Sequence, residues 1–406
     1  MKKGILISHL ALGFLMLLSA HAMAQGGRIQ IGKTKVIPGI SLQEVYDDNI
    51  YLVNDNEESD WITHVMPALG GTYSFEERGS LSLGYAGDLA YYSDNDKNDW
   101  QTHKGMFNLD YEAPGGLILG ISNTYTDAED PYGSPSQYKL GVPKTERWNN
   151  DGKGKIGYNF GNRLKALAYY NYYKQDYDLA ADYTQDYDDN EFGLGFQIRM
   201  LPKTWGFIRY HYGERDYFTN KPADNVTEAT DSDFDWSRVN VGLTWDTGAK
   251  LSGEVNFGYQ WKDYDNISDP GRNRYEDKDT WIAGTAVNYT ATATTTLSLS
   301  IARALRESGS NTNEFFEDTG FGLSLKQILF TKFTLDLSGT YSKNDYNLPV
   351  AKKKEHDNYL ASLGLDYRIQ DWLSAGVSYK YMEKESNYPQ DEFTDNQFMI
   401  SLRGVY

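Results

Sequence analysis

From Leu251 to Lys262 the chain alternates between two kinds of side chain. Leu251, Gly253, Val255, Phe257, Tyr259 and Trp261 fall on one side, and Ser252, Glu254, Asn256, Gln260 and Lys262 on the other. This period of two is a β-strand with one apolar and one polar face. The pattern recurs in "GSLSLGYAGDLAYY", where Leu81, Leu83, Tyr85, Leu89 and Tyr91 share a face. In "RLKALAYYNYY", Leu164, Ala166, Ala168, Tyr170 and Tyr172 oppose Arg163, Lys165 and Asn171. In "WLSAGVSYKY", Leu373, Ala375, Val377, Tyr379 and Tyr381 oppose Ser374, Gly376, Ser378 and Lys380. A single such strand fits a soluble sandwich, with its apolar face on a core, or a membrane barrel, with that face on lipid.

The connections between strands decide. Strand-like runs recur about every twenty-one residues, and short turns alternate with long loops. The short turns are 77–79, 113–116, 161–162, 202–203, 247–249, 291–294, 329–331 and 370–371, lengths that suit tight hairpins. The longer connections lie near 49–59, 94–98, 129–144, 179–187, 219–231, 266–278, 308–314, 346–356 and 387–394. They are rich in Asp, Asn, Gly, Pro and Ser, which favour turns and solvated loops. Eight turns and nine loops predict eighteen strands, with both chain ends on the short-turn side. Even strand number, short periplasmic turns and long external loops are the layout of bacterial outer-membrane barrels. The expected fold is all-β: a single transmembrane up-and-down antiparallel β-barrel of about 18 strands. Strands of this length exceed the ~9–11 residues that cross a bilayer, so their polar ends should rise above it.

Composition is consistent with this. Thirty-three tyrosines, nine tryptophans and thirty-eight glycines accompany a mean hydropathy of −0.63, too polar for a helical membrane protein. Half of each barrel strand faces water, and aromatic side chains ring both interfaces. Lys2 and Lys3, the apolar run "GILISHLALGFLMLLSA" and Ala22-Met23-Ala24 read as a secretory signal peptide, 1–24, cleaved after Ala24. Residues 25–406 then form the barrel, with a short periplasmic segment at about 25–35, in the outer membrane of a Gram-negative cell. That segment leaves no room for an N-terminal plug. There is no cysteine, hence no disulfide and no thiolate metal site. The formal charge of −18 becomes about −20 once the two leader lysines are removed, which makes nucleic acid a poor partner.

An eighteen-stranded barrel is wide enough to hold a water-filled channel. The alternation assigns Lys153, Lys155, Arg163, Lys165, Arg199, Arg209, Arg238, Glu254, Asp336, Lys380 and Arg403 to the lumen. Basic side chains predominate there, which would attract anionic solutes, unless they serve as ion pairs that knit the wall. Tyr169 and Tyr173 also fall on the inner face, as candidate platforms for sugar rings. The longest loop, 129–144, and the loop 219–231 either fold inward as a constriction or stand in solvent. The last strand, "NQFMISLRGVY", carries Phe398, Ile400, Leu402, Gly404 and Tyr406 on one face. Its terminal aromatic resembles the signal read by the barrel-assembly machinery during insertion.

No catalytic residues, cofactor or bound metal are expected. His64, His103, His211 and His356 lie far apart in sequence, without a nucleophile or carboxylate at hydrolase spacing. "DNDKND" (94–99) begins like a calcium loop, but Asp99 replaces the turn glycine and Gly105 the bidentate glutamate. It reads as a solvated loop that binds divalent ions loosely at most.

Two stretches resemble a known family. "ISLQEVYDDNIYLV" followed by "SDWITHVMPALGGTYSF" resembles the opening hairpin of the outer-membrane beta-barrel porins found in exopolysaccharide and exosortase gene clusters. "YKYMEKESNYPQDEFTDNQFMISL" resembles that family's last two strands. The resemblance implies export of a secreted polysaccharide across the outer membrane, with outer-membrane lipid around the barrel and periplasmic polysaccharide-export proteins as partners. It carries over no catalytic or binding residue. Two other readings stand beside it. One is a general diffusion porin for small solutes, anionic ones among them. The other is a structural or adhesive surface barrel whose acidic loops bind partners.

Overall fold

The computed structural model describes residues 29–131, 144–161, 163–178, 186–217, 233–245, 250–265, 277–307, 315–347 and 353–406. The proposed leader lies outside the described residues, as does most of loop 129–144. A three-residue strand, β1 (Ile29–Ile31), folds back on β2 (Thr34–Asp47). Then follow β3 (Asp60–Ser74), β4 (Gly79–Tyr92), β5 (Trp100–Glu112), β6 (Leu117–Pro131), β7 (Lys144–Phe160) and β8 (Leu164–Tyr177). The next six are β9 (Tyr187–Leu201), β10 (Thr204–Tyr217), β11 (Phe234–Trp245), β12 (Leu251–Tyr264), β13 (Lys278–Thr292) and β14 (Thr295–Glu307). The last are β15 (Phe315–Leu329), β16 (Phe333–Tyr346), β17 (Glu355–Gln370), β18 (Leu373–Ser386) and β19 (Phe393–Val405).

Each strand from β2 to β19 pairs antiparallel with the next, and β19 returns to β2 through Gln397↔Asp47 to Val405↔Gly39. The sheet is therefore a closed barrel of 18 strands, and closure leaves no edge along the wall. Barrel strands run from 12 residues in β11 to 17 in β7. At ~3.4 Å per residue and a tilt near 40°, fourteen residues rise roughly 36 Å, against an apolar band of about 25 Å. The surplus carries polar strand ends beyond the bilayer.

Tight turns close one end. Gly116 (φ 93°) and Gly161 (φ 60°) adopt the left-handed backbone these reversals need, which glycine enters without steric cost. The wall itself is two-faced. Phe192, Leu194, Phe196 and Ile198 of β9 are each more than half exposed, as are Phe257 of β12 and Phe398 and Ile400 of β19. Ten of the eleven predicted lumen residues occupy strand positions of the opposite parity, on the concave face; Arg163 lies instead in the turn before β8. The buried side chains are mostly concave-face ones, and more of them are polar than apolar.

Candidate functional site

The concave wall is a lattice of long charged side chains. Strands two apart are separated by ~9.6 Å, so only such side chains lying along the wall can span a strand between them. Lys155 of β7 reaches over β6 to Asp110 of β5, 3.1 Å away. Arg209 of β10 grips Glu254 of β12 with two bonds of 2.9 Å each. Arg238 of β11 lies 3.6 Å from Glu191 of β9, which also meets His211 of β10 at 2.6 Å. Lys153 pairs with Asp151 on its own strand. Four of the nine predicted inner cations are thus ion-paired. The alternation placed Arg209 and Glu254 on the inner face but not as partners, because the pairs are 45 residues apart in sequence for Arg209–Glu254 and for Lys155–Asp110.

Toward the loop end the lattice gains members the sequence did not single out. Arg215 forks onto Asp189 at 2.7 and 2.8 Å, with the Tyr187 ring 3.8 Å from its guanidinium. Arg147 forks onto Asp130 at 2.5 and 3.2 Å. Lys262, 1% exposed, meets Glu307 at 2.5 Å and lies over the Phe234 ring. Such charge-assisted pairs, bidentate at the two arginines, are the ones that hold geometry when removed from water.

The remaining candidates differ. Lys165 Nζ lies 4.4 Å and the Arg199 guanidinium 4.5 Å from the Trp205 ring, and neither has an ion-pair partner among the described residues. Arg163 in the turn and Arg403 near the end of β19 likewise have none. All four stand at the turn end. Asp336 stands opposite Lys326 across β16 and β15, and Lys380 Nζ donates to Gln397 Oε1 at 3.4 Å. The candidate sugar platforms are engaged with neighbours: Tyr169 stacks on His211 at 5.7 Å, and Tyr173 packs on Tyr187 at 5.6 Å.

At the loop end of the closing seam the connection 48–59 turns inward. Ile50 packs with Val45, Ile62 and Ala90, flanked by Tyr51, Tyr92, Trp100 and Met399. Asn49, wholly buried, fixes it: its Nδ2 donates to Val53 O (2.7 Å) and Thr394 O (2.8 Å), and its Oδ1 accepts from Val53 N. Beside it Asp47, Asp48 and Asp395 converge. The sequence signal was present in the Asp-Asn steps of "YDDN" and "FTDN", but their meeting depends on closing β19 onto β2. The two loops left open between folding inward and standing in solvent, 129–144 and 219–231, fall largely outside the described residues, at 132–143 and 218–232.

The histidines are held singly. His64 meets Asp88 at 2.9 Å, His103 meets Tyr85 at 2.8 Å and His356 meets Asp391 at 3.4 Å. In the 94–99 loop the acids do not gather round a centre. Its backbone nitrogens at Asp94 and Asn95 donate to the Asp60 carboxylate, which anchors the loop to β3.

A closed, two-faced barrel with an apolar exterior and a charged interior is a transmembrane channel protein of the outer membrane. The chain belongs to the family described as Putative beta-barrel porin 2, which matches residues 24–406, and this is a family of channel proteins rather than enzymes. No curated protein matches. Among solved structures, OccK2 (OpdF) of Pseudomonas aeruginosa is similar at 10% identity, covering 92% of this chain and 98% of that one, with a TM-score of 0.48. Pseudomonas aeruginosa OpdQ is similar at 10% identity, 92% and 98% coverage and a TM-score of 0.46. OpdK from the same organism is similar at 10% identity, 92% and 99% coverage and a TM-score of 0.45.

Proposed function

We propose that the barrel is a passive channel for small solutes that favours anions, and that Lys165 and Arg199 on Trp205 are its selective spot. The observation that carries this is the contrast along the wall. Lys153, Lys155, Arg209 and Arg238 are ion-paired, whereas these two share an aromatic ring at the turn-end mouth without a carboxylate. Uncompensated cations facing a water-filled lumen raise the local anion concentration. Polysaccharide export, implied by the family resemblance, would draw support from free aromatic platforms, but Tyr169 and Tyr173 are engaged with neighbours. The signal peptide over 1–24 and the insertion signal at Phe398, Ile400, Leu402 and Tyr406 belong to the same proposal. Phe398, Ile400, Leu402 and Tyr406 are exposed, open to assembly machinery.

The test is the reversal potential of the purified protein in a planar bilayer under a KCl gradient. The wild type should prefer chloride, and Lys165→Gln with Arg199→Gln should move the potential toward zero while leaving conductance nearly unchanged. A wild-type preference for potassium would sink the anion reading. A barrel that stays closed would sink the passive channel.

A further inference from the structure

At the loop end of the closing seam, three carboxylates from opposite ends of the chain meet on the concave side. Asp47 ends β2, Asp48 follows it and Asp395 lies in β19; each offers an oxygen within 4.8 Å of the others. Asp47 is 6% exposed and Asp395 0%. Their hydrogen bonds leave one vacancy. Asp47 Oδ1 accepts from Asn49 N at 2.9 Å, and its Oδ2 accepts from Gln397 Nε2 at 2.8 Å. The same Nε2 donates to Asp395 Oδ2 at 3.0 Å. Asp48 accepts from Asn396 N at 2.7 Å and Asn396 Nδ2 at 2.8 Å. Asp395 Oδ1 is buried and accepts nothing. One ammonium lies on the neighbouring strand, Lys380, whose Nζ turns to Gln397 Oε1. The Asp47 and Asp395 carboxyls also lie within hydrogen-bond reach of each other, so carboxyl oxygens crowd together where water is excluded beside one ammonium, a state that buried groups avoid by taking up a proton or a cation.

We propose that Asp47, Asp48 and Asp395 hold one hard divalent cation of the Ca²⁺ class, with Asp395 Oδ1 as its most deeply buried ligand. An all-carboxylate donor set suits hard cations, and the cluster contains no histidine or cysteine to select a softer metal. Ca²⁺ fits better than Mg²⁺, which demands near-ideal octahedral geometry and keeps several waters. The ion ties the first barrel strand to the last, across the seam that β19–β2 pairing closes. It also fixes the start of the inward-turned loop, because Asn49 is the next residue after Asp48.

The experiment uses the refolded full-length barrel in detergent, stripped with EDTA, dialysed at pH 8 and titrated with CaCl2 by calorimetry. The expected result is saturable uptake of one ion per chain with Kd of ~10⁻³ M or tighter, and a heat-unfolding midpoint that rises with CaCl2. Asp395→Asn keeps the shape but removes the charge, and should weaken uptake at least about tenfold, since affinity follows ligand charge count. Asp94→Asn with Asp96→Asn, in the exposed loop, should leave uptake unchanged. Should Asp395→Asn fail to fold, Asp48→Asn is measured instead, by displacement of Tb³⁺ luminescence with Ca²⁺. A wild type with no saturable uptake overturns the site, as does an Asp395→Asn or Asp48→Asn barrel that binds as tightly as the wild type. If Asp47 and Asp395 share a proton instead, the wild type takes up no ion and Asp395→Asn unfolds at a higher temperature, which also overturns it.

Discussion

Two residues in the turn between β15 and β16 carry an unfavourable backbone. Phe330 and Thr331 have φ of 49° and 62°, a conformation that costs an L-residue about 1–2 kcal/mol and is worst for β-branched side chains. The Thr331 carbonyl accepts from the Arg368 guanidinium, so that backbone is held in place. Thr331→Gly removes the steric cost but gives the unfolded chain more freedom, which offsets about 0.5–1 kcal/mol. A net stabilisation of about 0.5–1 kcal/mol is expected, read as a higher urea midpoint for the barrel in lipid vesicles. A lower midpoint would mean that the turn is relaxed in solution. The side chains of "LFT" signalled a short turn but not its handedness, because glycine and asparagine usually announce positive φ and neither is present. For the same reason the charged face of each strand was legible and its pairing was not. Arg209 shows its parity in the local pattern, whereas Glu254 becomes its partner only once β11 is interposed.

Among the elements, the connection 48–59 shows how a loop becomes part of the wall. Its composition marks it as solvated, yet Ile50 and Tyr51 pack on the inner faces of β3, β4 and β5. Strand lengths and turn positions were readable from alternation because each strand repeats the same local rule. Loop direction was not, since a loop's course depends on what it meets across the mouth. Here it meets Thr394 and Asn396 on the last strand, more than 340 residues away. The latch is Asn49. Asn49→Ala removes the donor to Val53 O and Thr394 O and the acceptor for Val53 N. Leaving such groups unsatisfied costs about 1–3 kcal/mol, enough to release the loop from the mouth while the barrel stays closed. Single-channel conductance should rise in Asn49→Ala, with heat-modifiable mobility on gels unchanged. An unaltered conductance would place the narrowest point elsewhere.

At the scale of the whole molecule, inside and outside follow from one inequality. In a wall one residue thick, each position faces lipid or lumen, and the cost of a charge differs sharply between them. Phe257 lies midway along β12 and is 55% exposed on the apolar face. Thr340 lies midway along β16, with the opposite parity to exposed Leu337 and Tyr341. Phe257→Arg puts a guanidinium against hydrocarbon near mid-depth and should cost about 2–4 kcal/mol of folding free energy in vesicles. Thr340→Arg sends the same group into the lumen, where water reaches it, and should cost less than about 1 kcal/mol, as surface substitutions do. The control for both is the detergent-free, denatured chain, which is indifferent to face. Equal losses would mean that the lumen is as dry as the exterior and is no channel. A larger loss at Thr340 would turn the barrel inside out relative to its alternation, which closure through β19 and β2 forbids unless the apolar face packs against protein rather than lipid.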